Sequence, residues 1–420
     1  MDQQQQETVL RSIAISAGIG SVPPTPSAMQ ESFRVLENFK AYEGNMSVCL
    51  QWLHQESIVL SSPTNADITV PTKLMSCSIV QDFLGKGYSK LASPDRLTLR
   101  HSVLTAARQV APMEVTADAR ILGNKLAVLL QGLMVRDFPQ RWPTFFEDVY
   151  SPMHAGGLWR NPNETVHVLG VKMCLETLRL VAEDCTDSDF NAKISTSRRN
   201  DVLIGLNEVS DRFLPLLFSI LEHYSYLVQS KERLHGMRVY LLSNQRRLAD
   251  MTPDESGAYQ EALKQRDVAA KLIGDCLITL RQFCRSMPVE WILDTTKHGD
   301  FSVAFLHLLR EPSVQVEAIQ CIEELAIRKL ENQQWFRLIT DIPPAIQAAT
   351  QAMNETEQEQ RNVEQQLSGR NAAVDMLVLE LPFHKALSRM LAITVANNIS
   401  HITNDKGIVS VSMRLAVAIC

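Results

Sequence analysis

The feature that most constrains this chain is the helical spacing of its apolar residues, which recurs from Ser27 onward. In 314–326 (VQVEAIQCIEELA), Ala318, Ile322 and Leu325 fall on one stripe, while the acidic residues fall elsewhere. Convincing strand alternation is absent from the sequence, and no Asn-Gly or Asp-Gly pair joins two apolar runs. We therefore predict an all-α chain. Comparable stripes occur at 28–40, 72–87, 95–112, 119–136, 164–184, 200–228, 262–286, 299–310 and 372–402.

These segments come in pairs, and a short turn that carries proline or glycine lies inside each pair. Two helices and a turn every ~40–47 residues are typical of HEAT-type repeats. A single pair cannot bury its apolar stripe on both sides, so the pairs must stack on one another. The sequence thus predicts an α-solenoid of HEAT-type antiparallel helix pairs. Polar stretches at 61–71, 229–260 and 353–370 interrupt the array, and the Gln-, Ser- and Pro-rich residues 1–27 predict a flexible leader.

Charge and cysteine usage exclude several classes of protein. Forty-one basic and 47 acidic residues give a net charge of −6, so no overall positive charge points to nucleic acid. The eight cysteines are scattered without a C-x-x-C pair, which argues against a structural zinc site. The most apolar run, 126–135, is far shorter than the ~20 residues of a membrane span, and no secretory signal opens the sequence. We expect a soluble intracellular protein that binds neither metal nor membrane.

Local catalytic motifs fail on inspection. The triplet at 54–56 (HQE) lacks the P-C-x-x-C partner of a zinc deaminase. The glycines at 18–20 have no preceding strand, and those at 85–87 do not have the spacing of a phosphate-binding loop. The chain is therefore not expected to be an enzyme or to hold a cofactor.

The most specific segment is 135–150 (VRDFPQRWPTFFEDVY). Its two prolines, four residues apart, predict that one helix breaks there and that another begins near Pro143. Bulky aromatic side chains can fill the wedge between the two helices, and an acidic and a basic residue are spaced to pair across the turn. On these grounds a structural corner is favoured over a ligand site. Its signature residues are Asp137, Phe138, Pro139, Arg141, Trp142 and Pro143.

Residues 136–143 (RDFPQRWP) resemble a corner found in an early repeat of the nuclear exportins, which belong to the importin-beta superfamily. Segments 31–42, 74–88 and 171–185 resemble helices of that family in the same order. The long segment 197–217, which begins SRRND, is more similar to the exportin-5 branch. One departure is at 75–78 (MSCS), where the family usually has aromatic-Gly-Leu-Gln.

The resemblance implies a shuttling receptor between nucleus and cytoplasm that binds the GTPase Ran in its GTP form and recognises Phe-Gly nucleoporins. It implies Ran-binding repeats over 28–150 and exportin-type repeats over 151–420, with the solenoid expected to continue beyond Cys420. GTP would be carried by Ran. The implied Ran contacts are Lys73, Gln81 and Asp82.

For the exportin-5 branch, the implied cargo is structured double-stranded RNA, such as a microRNA precursor or tRNA. RNA of this kind is read through its phosphates and its shape. The alternatives are a related exportin or importin with protein cargo, or a static HEAT-repeat scaffold that binds no GTPase. Candidate RNA-binding residues are Arg198, Arg199, Lys231, Arg233, Arg246 and Arg247.

Overall fold

A computed structural model describes most of the first half of the chain and parts of the second. The described residues are 1–20, 23–60, 66–154, 168–186, 195–221, 224–244, 246, 248–287, 308–309, 311, 313–328, 385–390 and 392–393. The chain divides into two compact units, Met1–Val202 and Leu203–Cys420.

The first unit consists of helices arranged in two layers. Helices α4, α6 and α8 lie side by side in one layer, and α3, α5 and α7 lie side by side in the other. The C-terminal ends of α4 and α6 meet through Tyr88 and Asp137, so helices within a layer run parallel. Arg100, early in α5, reaches the carbonyl of Arg141 beyond the end of α6, so the paired helices α5 and α6 run antiparallel. The helices are α1 (Gln3–Ser16), α2 (Pro26–Ala41), α3 (Asn45–His54), α4 (Thr69–Lys86), α5 (Ser93–Val110), α6 (Ala117–Asp137), α7 (Phe145–His154), α8 (Val168–Thr186) and α9 (Thr196–Glu208), the last of which crosses the boundary between the units.

Helix α6 is the most deeply buried element of this unit because it packs against α4, α8 and α5. Its apolar run from Leu126 to Val135 faces neighbours on several sides, which explains why the sequence there is apolar almost all round. The helix begins after Thr116, whose hydroxyl accepts a hydrogen bond from the amide of Ala119. The predicted helix at 119–136 is confirmed with nearly the same bounds.

The prediction of a flexible leader over 1–27 was wrong for residues 3–16. They form α1, which begins with a capping box between Asp2 and Gln5 and packs against α2. Val9 and Ile13, one helical turn apart, are buried in that contact. The helix was missed because its apolar stripe is narrow and a run of glutamines makes the segment look polar.

The second unit contains α10 (Ser210–Leu221), α11 (Tyr224–Ser243), α12 (Pro253–Ser286) and α13 (Gln315–Ile327). The 34-residue α12 packs against α10, α11 and α13. The stretch 229–260, expected to interrupt the array, is instead mostly helical and contributes to α11 and α12. The continuous helix expected over 200–228 ends at Glu208, and Ser210 begins the next one. The predicted interruption was wrong because Leu234, Tyr259 and Ala262 form a buried cluster between these helices.

The predicted all-α class is confirmed within the described residues, and helix pairs stack in the manner expected of a solenoid inside the first unit. The expected boundary after residue 150 falls inside α7, whereas the units divide at Val202. Helices α7 and α8 continue the two layers of the preceding helices, and the division between Ran-binding and exportin-type repeats stays a prediction. The predictions at 353–370 and most of 299–310 and 372–402 lie outside the described residues. No described helix has the combination of length and apolar character needed to cross a bilayer.

Candidate functional site

The corner at 137–145 begins where α6 ends. The peptide bond between Phe138 and Pro139 is cis. The amides of Arg141 and Trp142 both donate to the carbonyl oxygen of Asp137, at 2.7 and 3.1 Å, and so close the turn. The predicted break is confirmed, and the next helix begins at Phe145, close to Pro143 as expected.

Aromatic side chains fill the wedge beneath this turn, as predicted. The Trp142 ring meets Phe145 edge-on, with centroids 5.0 Å apart, and Phe138 meets Phe146 edge-on at 5.6 Å. All four side chains are almost fully buried. Trp142 also donates from Nε1 to Asp148 Oδ2 at 2.8 Å, and Arg100 stacks over its ring, with Cζ 4.9 Å from the centroid.

Asp137 connects the corner to α4. Its side chain is only 2% exposed and accepts a hydrogen bond from the hydroxyl of Tyr88, which follows α4. Burial, and then the hydrogen bond to Asp137, raise the pKa of Tyr88. Arg141 Nη1 lies 3.7 Å from Asp137 Oδ1, so the expected acid–base pair across the turn is present. Sequence reasoning missed Tyr88 because no local pattern relates it to a residue 49 positions away.

Arg198 completes the corner through hydrogen bonds to backbone carbonyls, and its role as an RNA contact stays a prediction. From α9 it donates to the carbonyl of Val135 at 2.7 Å, to the carbonyl of Phe138, and to Gln140 Oε1 at 2.8 Å. These carbonyls at the end of α6 have no partner within their own helix and require outside donors. Burial lowers the pKa of the guanidinium.

We expect Arg198→Ala to destabilise the corner by about 2 kcal/mol, because α6 loses a charged donor to its terminal carbonyls. Hydrogen exchange of the amides between 138 and 150 measures this loss directly. The exposed Arg120, at the other end of α6, provides the matched control, and Arg120→Ala should leave exchange at the corner unchanged. Equal protection in both variants would contradict the structural role of Arg198.

The predicted Ran contacts divide into two groups. Gln81 and Asp82 are exposed on α4, and Lys125 of the adjacent α6 reaches Gln81 Oε1 at 3.4 Å. Lys73, in contrast, is 1% exposed and donates to Gln109 Oε1. As a surface contact Lys73 was therefore a wrong prediction. Desolvation lowers its pKa to about 8, against an ordinary value of 10.5.

The basic positions of the second unit are largely paired. Lys231 on α11 contacts the buried carboxylate of Glu311. Arg246 binds Glu255 through two nitrogens, at 2.9 and 2.7 Å. Arg233 is exposed and borders an apolar pocket of about 350 Å³ beside Tyr240.

Two candidate RNA-binding residues remain, Arg199 and Arg247. Arg199 is partly buried on α9, and its Nε has no hydrogen-bond partner among the described residues. Arg247 lies outside the described residues.

Reactive chemistry is not evident in the part of the chain that the structure describes. Its cysteines are buried thiols, and desolvation raises the pKa of Cys49 and of Cys77 to about 12, which suits packing rather than nucleophilic attack. Within the same described residues, no group of His, Cys, Asp and Glu side chains is placed to hold a metal ion.

The comparisons with known proteins bear on this region. A family model described as "Exportin 1-like protein" matches residues 119–322, which include the corner and most of α9 to α13. None of the curated proteins matches the chain. Among solved structures, an engineered protein is similar at 12% identity, with 98% of each chain covered, but its TM-score of 0.20 carries no argument about the fold. Residues 119–322, just under half of the chain, are thus similar to exportin 1-like proteins.

Proposed function

We propose that this chain is a nuclear transport receptor of the exportin type that binds GTP-loaded Ran together with cargo. The observation that carries the proposal is the exportin 1-like match over 119–322. Such a receptor shuttles between nucleus and cytoplasm and works by coupled binding rather than by catalysis. It needs no cofactor of its own, since the nucleotide belongs to the GTPase.

The α4/α6 layer offers the GTPase a polar surface. Gln81 and Asp82 are exposed there, and Lys125 lies across from them on α6. Both helices are held by the buried contacts of the corner, so the surface is preorganised for binding. Coupling between GTPase and cargo follows if both favour the same arrangement of the repeats, as linkage requires.

For cargo, we propose structured RNA of the microRNA-precursor or tRNA class. Arg233 is the exposed candidate that supports phosphate contact in the second unit. Protein cargo is a second candidate, favoured by the pairing of Lys231 with Glu311 and of Arg246 with Glu255. These carboxylates already neutralise two cations that RNA would otherwise contact.

Nucleoporin recognition is proposed at the apolar pocket beside Tyr240, on α11. Tyr240 is 54% exposed, and Met237 and Met251 line the same pocket. An aromatic side chain presented on a flexible polar repeat suits a pocket of this size.

A binding assay with Ran locked in its GTP or GDP form tests the receptor function. We expect retention of the GTP form only, and Gln81→Arg should weaken it by at least tenfold by placing a bulky cation in the contact. Thr98→Arg, an exposed change of the same kind on α5 in the opposite layer, is the matched control and should bind normally. Equal binding of the two nucleotide forms, or none, would leave a static scaffold as the better description.

The cargo class is tested by adding a short hairpin RNA with a 3′ overhang and titrating salt. RNA cargo predicts that GTP-loaded Ran tightens hairpin binding and that affinity falls steeply as salt rises. Hairpin affinity that does not respond to Ran would favour protein cargo.

A further inference from the structure

A basic pocket lies beside the corner, between the C-terminal ends of α4 and α6. Its volume is about 330 Å³, and Lys86, Arg136, Arg141 and Arg198 contribute to its lining. Among the described residues that line it, none is acidic. Four cations from three different helices and one turn thus surround a single concavity.

The carboxylates nearby pair with part of this lining, and Asp137 Oδ1 lies 3.7 Å from Arg141 Nη1. Asp137 accepts from Tyr88, and Asp184 accepts from Gln131. Asp201 lies 3.9 Å from Arg198, on the exposed side of α9. Among the residues that the structure describes, these three carboxylates do not offset all four lining cations.

Two of the four cations donate hydrogen bonds to backbone carbonyls near the end of α6. Arg136 Nη1 donates to the carbonyl of Gly132 at 2.6 Å, and Arg198 serves two carbonyls at the end of α6. Lys86 and Arg141 are exposed, and Arg141 faces Asp137 Oδ1 at 3.7 Å, so Lys86 adds positive charge for which no ion pair is described. Like charges this close repel one another. Burial is the main cause that lowers the pKa of Arg198, the charge of Arg141 adds to it, and Asp201 and Asp137 oppose it. A bound anion would relieve that repulsion.

We propose that this pocket binds a phosphate monoester carried on a side chain of a partner protein, such as a phosphoserine. Guanidinium groups match phosphate oxygens with paired hydrogen bonds, and a monoester carries a charge of roughly −1.5 to −2. The volume suits one such group on a flexible segment and is near the lower limit for small-ligand sites. A phosphodiester inside a double-stranded stem is flanked on both sides by sugars on a convex surface, which fits this recess poorly.

The site is independent of the proposed transport function, because it needs neither GTPase nor cargo. Calorimetric titration of the full chain with O-phosphoserine and with serine is the direct test. We expect heat of binding with O-phosphoserine only, and competition by inorganic phosphate. No difference between the two amino acids would overturn the proposal.

Substitutions then locate the site. The double variant Lys86→Gln with Arg141→Gln removes two exposed cations from the pocket and should weaken O-phosphoserine at least tenfold. The control pair Arg108→Gln with Arg120→Gln removes two exposed cations from α5 and α6 outside the pocket and should bind as the parent does. Circular dichroism verifies that both variants remain folded. Equal weakening in the two pairs would overturn the assignment to this pocket.

A last experiment distinguishes a phosphate carried by RNA from one carried by a protein side chain. A 5′-phosphorylated RNA oligonucleotide and its 5′-hydroxyl form are titrated against the parent chain. Tight binding of the phosphorylated oligonucleotide, without measurable binding of O-phosphoserine, would overturn the proposal of a protein partner. Binding of O-phosphoserine with no preference between the two oligonucleotides supports it.

Discussion

Replacing Trp142 with alanine is expected to lower the free energy of unfolding of the first unit by about 3–5 kcal/mol. The ring is 1% exposed and lies between Phe145 on one side and the Arg100 guanidinium on the other. Its removal leaves a cavity at the junction of α5, α6 and α7. It also removes the only hydrogen bond that the indole makes among the described residues, to Asp148. Urea unfolding followed by circular dichroism measures the loss.

Two controls divide this effect into its parts. Trp142→Phe keeps most of the aromatic volume and should cost about 1–2 kcal/mol, mainly through the lost hydrogen bond. Phe33→Ala removes a large side chain that is 54% exposed on α2, and should change stability by less than about 0.5 kcal/mol. If Trp142→Ala lowered the free energy of unfolding no more than Phe33→Ala does, the corner would not be a packed junction of α5, α6 and α7.

The second large effect is a pH dependence that comes from Lys73. With a folded-state pKa of about 8 and an unfolded value near 10.5, the unfolded chain binds more protons between these values. Stability from this group therefore increases as pH rises from about 8 to 10.5. The full shift of about 2.5 units corresponds to about 3 kcal/mol. Below pH 8 the lysine is charged in both states, and its desolvation cost is fully present.

The measurement is the difference in unfolding free energy between the parent chain and Lys73→Met, taken at steps between pH 7 and 10.5. Methionine fills similar space without a titrating group, and the hydrogen bond that it loses to Gln109 is strongest while the lysine is charged, so it is part of the same pH dependence. The buried thiols of Cys49 and Cys77 also affect stability at high pH, but they are present in both proteins and largely cancel. A constant difference over the whole pH range would show that Lys73 keeps an ordinary pKa in the folded chain.

The structural features that were predicted best depend only on residues close together in the sequence. The break after α6 was predictable because Pro139 and Pro143 act on their own backbone, and the aromatic filling followed from residues within the same segment. The pairing of Asp137 with Arg141 was predictable for the same reason, since four positions separate them.

Features that depend on distant residues were missed. Arg198 looked like a surface cation because its acceptors lie about 60 positions away in the chain. Lys73 carried a signal that could have been read: it shares a helical stripe with the buried Cys77, Val80 and Leu84, so a turn-by-turn reading places it inside. The stripe could not identify the hydrogen-bond acceptor of Lys73, because Gln109 lies on another helix.

The position of Arg198 also bears on the order in which the protein forms during synthesis. The carbonyl of Phe138 emerges from the ribosome 60 residues before the side chain that binds it. At about 5–20 residues per second, that interval lasts about 3–12 s. Throughout it, the aromatic residues of the turn and of α7 can pack against one another, but the last carbonyls of α6 depend on water for hydrogen bonds. The corner is thus assembled in two stages, an apolar one from nearby residues and a polar one that waits for α9.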